Sequence, residues 1–305
     1  MRARTAVLRG PPPAPRAFTL FELVVALAVG GVAFGSFALV VAQQERTHAE
    51  LARRLRARAQ MREGLTALVT ELRAISPAAG DIPGGGARDS SIEFRATIGS
   101  AAVCHVAHQS VSIGLASFVA SPQPDDTAWA YVGGSAGSSW MPLAIVARGN
   151  HQLPACGLPP TVAGLVDPRR ARTPRYSLEL SDSVAGISVG TPLRITRHVR
   201  YSLYRAPDTR WYLGRREWSP ARGLFETIQP VAGPYRGYGS AESGTSGLEL
   251  RYFDRAGVEI PAGSPSSDRI AQVTLVLRTP PPPGDSRVRE RRDVTSVTLG
   301  VRNRQ

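Results

Sequence analysis

From Phe18 to Ala42 the chain runs for 25 residues with one charged side chain, the carboxylate of Glu22. About 20 consecutive apolar residues cross a bilayer as a helix, so this stretch predicts a transmembrane helix. The preceding segment, MRARTAVLRGPPPAPRA, carries Arg2, Arg4, Arg9 and Arg16 and no acid. Arginines on one flank place that flank in the cytoplasm, and the rest of the chain then lies across the membrane. A carboxylate in an apolar helix costs roughly 2.5–3.5 kcal/mol on insertion scales, so Glu22 calls for a partner.

The helical pattern continues past Ala42. In QQERTHAELARRLRARAQMREGLTALVTELRAIS, the residues Leu51, Leu55, Met61, Leu65, Leu68, Leu72 and Ile75 recur mostly at three- and four-residue steps, which predicts one apolar stripe on an amphipathic helix. Ser76-Pro77 ends it, because the residue before proline is disfavoured in helical geometry. Phe18–Ile75 reads as one helix about 85 Å long at 1.5 Å per residue, its first part in lipid and its second packed by one face on a globular head. A secretory signal peptide is the competing reading, with VVA at Val40–Ala42 as its cleavage site. The charge at Glu22 and the unbroken helix beyond Ala42 oppose it.

The run RAFTLFELVVALAV resembles the cleavage and methylation segment of type IV prepilins and type II secretion pseudopilins: a short basic leader, a small residue, Phe, Thr, then Glu ahead of an apolar helix. The resemblance covers residues 1 to about 45. It implies cleavage between Ala17 and Phe18 by a prepilin peptidase and N-methylation of Phe18. It also implies an assembly role for Glu22, which would meet the new amine of a neighbouring subunit and set the axial register. Glycine usually precedes the cut in that family; here Ala17 does. Gly30, Gly31 and Gly35 permit either close helix packing or local melting, and glycine is also common in membrane helices.

Residues 77–305 read as a β-rich head, giving an α+β chain. GDIPGGGARDS, Gly80–Ser90, reads as a flexible connection. SIEFRATI alternates Ile92, Phe94, Ala96 and Ile98 on one face. RHVRYSLYRAPDTRWYLGRREW reads as a hairpin with Val199, Tyr201 and Leu203 alternating and a turn at Ala206–Thr209. LELRYFD ends in a turn at Asp254–Gly257, and RIAQVTLVLRT and DVTSVTLGVRN give two final strands. This order is similar to the heads of the J-type minor pseudopilin and the W-type minor pilin. Residues 99–190 match no part of that pattern and read as an insertion.

The formal charge is +13, and all 37 basic residues are arginine. They are spread along the chain rather than clustered, so no specific nucleic-acid face is predicted. Loss of the leader lowers the formal charge to about +9. Cys104 and Cys156 are the only cysteines; outside the cytosol they predict a disulfide, worth about 4 kcal/mol by loop closure. The same stretch holds His105, His108 and His151, two of whose imidazoles with the two thiolates would bind zinc tetrahedrally; the disulfide and the zinc site exclude each other. Asp125-Asp126 and Asp182 read as solvated loop acids. Of Trp129, Tyr131, Trp140, Trp211, Tyr212 and Trp218, most read as core, with Trp140 loop-borne and exposed. No GxSxG motif or phosphate-binding glycine loop is present.

These readings predict a non-enzymatic minor pilin or pseudopilin without cofactor. Its segments are a leader at 1–17, a membrane helix at 18–42, an amphipathic continuation at 43–76 and an extracytoplasmic head at 77–305. Its partners are prepilin peptidase, other pilin subunits and inner-membrane lipid. The alternative is a single-pass envelope binding protein, metal-binding at the Cys/His cluster, with no filament role.

Overall fold

The computed structural model describes residues 19–134, 137–149, 176–181, 186–239, 246–280 and 294–301. The chain divides into two compact units, Met1–Arg56 and Ala57–Gln305. A single helix, α1 (Leu20–Arg73), contributes to both. Among the described residues thirteen strands follow it. In order these are β1 (Ser91–Ala107), β2 (Ser110–Phe118), β3 (Thr127–Gly134), β4 (Gly137–Gly149), β5 (Tyr176–Leu180), β6 (Pro192–Arg205) and β7 (Trp211–Ser219), then β8 (Leu224–Phe225), β9 (Gln229–Tyr235), β10 (Leu248–Phe253), β11 (Glu259–Ile260), β12 (Gln272–Arg278) and β13 (Val294–Gly300). The α+β expectation holds at this level.

In the first unit, the apolar side chains of α1 from Leu20 through Val41 are exposed. The helix is long and apolar enough to cross a membrane. The expected apolar stripe does not begin at Leu51: Leu51 and Leu55 are exposed. Burial starts in the second unit, where Met61, Leu65, Leu68 and Leu72 fall on one face at steps of three and four and join Ile75 in the core. Gly64 lies on that same packed surface, and a Cβ there would collide with the Tyr235 hydroxyl, which instead donates to the Gln60 carbonyl at 3.1 Å. The regular helix stops at Arg73, two residues short of Ile75, and a 3-10 turn at Pro77–Ala79 follows.

The second unit has two hydrophobic cores. The first gathers the buried face of α1, the N-terminal half of β1, the C-terminal half of β6, β7, β9 and the four-stranded sheet β11-β10-β12-β13. Ile92, Phe94 and Ala96 point into it, as alternation predicts, with Val199, Tyr201 and Leu203 from β6 and Leu213 from β7. The second core lies inside what reads in sequence as an unplaced insertion. There β1-β2-β5-β4-β3-β6 pair in order, and β6 pairs back onto β1. Six antiparallel strands therefore close into a small barrel, filled by Ile98, Val103, Ile113, Leu143, Ile145 and Leu178 among others. Closure removes free sheet edges. The two cores share β1 and β6, which run unbroken from one into the other. The crossing is marked by Gly99, next to a register shift in β1; a Cβ there would overlap the Phe118 ring.

Gly80–Ser90 is not a loose connection. Asp81 is fully buried; it accepts the Ser76 backbone N–H at 2.6 Å and the Arg194 guanidinium at 2.7 Å. Arg194 also donates to the Thr97 hydroxyl at 2.9 Å and the Ala74 carbonyl at 3.3 Å. The end of α1 is thereby tied to β1 and β6 where the barrel begins.

Candidate functional site

The N-terminal end of α1 is held by a reciprocal cap. The Thr19 hydroxyl accepts the Glu22 backbone N–H at 3.3 Å. The Glu22 carboxylate in turn accepts the Thr19 backbone N–H at 3.1 Å and its hydroxyl at 3.2 Å. This is the capping-box geometry, which satisfies orphan helix-end donors and sets a negative charge near the positive end of the helix dipole. The T-x-x-E spacing at Thr19–Glu22 is the local sequence signature of this cap. Ala17 and Phe18, the expected cleavage and methylation positions, lie outside the described residues. Beyond the cap, Phe21, Phe34, Phe37 and Leu39 are each about two-thirds or more exposed, an apolar surface of the kind that meets a membrane or another protein. Gly30, Gly31 and Gly35 face open space, with nothing among the described residues within 4 Å of a Cβ placed there.

A second concentration of charge lies where the barrel joins the rest of the second unit. Asp126 is buried, contrary to the solvated-acid expectation. Arg197 grips it with two bonds of 2.8 Å. Asp126 also accepts the Gln123 N–H at 2.7 Å, and Arg197 donates to the Ser121 carbonyl at 3.0 Å. Arg197 continues to Glu217 at 3.0 Å, Glu217 to Arg215 at 2.6 Å, and Arg215 lies 3.3 Å from Glu71 on α1. Alternating charges thus link the β2–β3 connection, β6, β7 and the helix. Asp125 remains exposed, and Asp182 lies outside the described residues.

Glu71 ends this chain with a surplus negative charge. One of its carboxylate oxygens is buried without a hydrogen bond. Burial holds its carboxyl above the ordinary value, against the pull of Arg215 and a hydrogen bond from Tyr201 and with a smaller push from Glu217. A proton on Glu71 is therefore bound more tightly in the folded chain than in the unfolded one. Its stabilising contribution is complete below the unfolded value near 4.5 and is lost as the pH rises through the higher folded value. Glu71→Gln is expected to flatten the fall in stability as the pH rises above the unfolded value near 4.5, read by urea unfolding of the full chain in neutral detergent.

Cys104 is disulfide-bonded; Cys156, the only other cysteine, and His151 lie outside the described residues. His105 and His108 are exposed at the end of β1 and in the β1–β2 turn. Among the described residues no group of three His, Cys, Asp or Glu side chains is placed to hold a metal. Trp129 is buried, with its indole N–H on the Thr196 hydroxyl at 2.9 Å. Trp140 is exposed as expected but belongs to strand β4, where it pairs with Tyr131 at a ring separation of 5.2 Å. Trp211, Tyr212 and Trp218 are half-buried rather than core. Comparison with family models, with curated proteins and with solved structures gives no match.

Proposed function

We propose that this chain is a minor pilin or pseudopilin, a structural subunit cut between Ala17 and Phe18 and assembled at or near the tip of a type IV pilus or type II secretion pseudopilus. One coincidence carries the reading. The basic leader, the Ala17-Phe18 junction, Glu22 and the apolar run occur in that order, and they lead into a helix whose apolar side chains are exposed from Leu20 to Val41 while its C-terminal turns pack on a β-rich body. The helix would stay in the inner membrane until it enters a filament, where neighbouring helices replace lipid. Glu22 would then pair with the methylated amine of an adjacent subunit, and the β-rich body would stand outside the cytoplasm. It would act through contacts, without enzymatic chemistry or cofactor.

The capping box favours a second reading, a single-pass anchored envelope protein, because it gives Glu22 a task that needs no neighbouring subunit. Mass spectrometry of the N-terminus from native membranes separates the two. An N-methylated peptide beginning at Phe18 is the expected result. An intact Met1, or a start at Gln43, overturns the filament reading.

A further inference from the structure

The outer face of the β6–β7 hairpin carries a charge arrangement that the fold does not resolve. Arg200 on β6 and Arg216 on β7 are directly opposite partners in the ladder, so their side chains leave the same face with Cβ atoms about 4.5–5.5 Å apart. Like charges in this position oppose folding. Arg200 is partly compensated: it forms an ion pair with Glu93 on the neighbouring strand and lies over the Phe225 ring at 4.1 Å. Arg216 has no ion pair or hydrogen bond among the described residues, and its Nε is buried without a partner. Trp218 and Phe225 stand beside the two arginines with ring centroids 5.1 Å apart. His198 lies against both rings, at 5.8 and 5.2 Å.

We propose that Arg200, Arg216 and the Trp218/Phe225 shelf form a carboxylate-binding site for an acidic, partly apolar segment of a partner protein. A guanidinium fork left without an acid matches a carboxylate in geometry and charge, and the adjoining rings accept an apolar neighbour of that carboxylate. A nucleic acid is a poorer fit, because it needs a track of free cations, whereas at this hairpin Arg200 is already paired with Glu93 and the neighbouring Arg197 and Arg215 with Asp126 and Glu217. A second copy of the chain is a poor source of the acid, because its formal charge of +13 repels an arginine-bearing face. This inference does not depend on the filament reading.

The test uses the full chain in neutral detergent, titrated calorimetrically with a blocked Leu-Glu-Glu-Leu peptide, its Leu-Gln-Gln-Leu counterpart and inorganic phosphate. Saturable binding of the glutamate peptide is expected. It should weaken about tenfold or more with the glutamine peptide or in Arg216→Gln, and it should weaken with added salt. Without peptide, Arg216→Gln should unfold at a higher temperature than the parent, because the opposed like charges are gone. Absence of binding, or equal binding by Arg216→Gln, overturns the site. Phosphate displacing the peptide at equal concentration overturns the assignment to a protein segment. A lower unfolding temperature for Arg216→Gln shows that Arg216 serves the fold and also overturns it.

Discussion

Glu22→Gln is expected to leave the start of α1 intact and to cut incorporation of the subunit into filaments about tenfold or more. The substitution separates two tasks. Glutamine still accepts the Thr19 backbone N–H, so the cap seen at 3.1 Å survives in kind. It has no charge to offer a cationic amine in a low-dielectric surrounding, where an ion pair is far stronger than in water. Glu22→Ala loses both functions and costs the helix end about 1 kcal/mol as well. The measurement is the ratio of the subunit in sheared filaments to that in membranes, for parent, glutamine and alanine forms. If the glutamine form enters filaments like the parent and only the alanine form fails, Glu22 acts as a cap and the pairing with a neighbour's amine is lost as an explanation.

Arg197→Ala is expected to destabilise the second unit by about 3–5 kcal/mol, since it leaves the carboxylate of Asp126 buried without its countercharge. The damage should be local at first. The Ser121 carbonyl and the Asp126 side chain both lose their anchor, so protease sensitivity should appear between β2 and β3 before global unfolding. Replacing both members with apolar residues, Arg197→Met with Asp126→Leu, should recover most of the loss, because a buried pair of this kind contributes little net stability over well-packed apolar groups. Urea unfolding of the three forms in neutral detergent decides it. A double variant as unstable as Arg197→Ala would mean that the hydrogen bonds to Gln123 and Ser121 matter more than the charges.

The parts legible in the sequence are those whose signal is local. The alternation at Ile92, Phe94 and Ala96, the β6–β7 hairpin and the final strands follow from periodicity over a few residues, and they occur as read. The barrel did not announce itself. Its strands are built of stretches such as AAVCHVA and SVSIGLASF, in which alanine, serine and glycine blur the alternation. Its closure depends on β6 returning to β1 across about a hundred residues of chain, which no local pattern encodes. Asp126 misled for the same reason: SPQPDD looks like solvated loop, and the arginine that buries it lies 71 residues away in sequence. At the N-terminus the apolar run and Glu22 were legible, while the cap that engages Glu22 was present in the spacing but outweighed by the cost of a charge in lipid.

The continuity of β1 and β6 through both cores fixes the barrel as a rigid arm. A domain carried on a linker can swing and averages its orientation. A barrel whose walls are the extended strands of its host turns only when the host turns. A spin label or dye placed in the β1–β2 turn, at the barrel's far end, would therefore act as a pointer, reporting the tilt and rotation of the second unit as a whole through whatever assembly it joins.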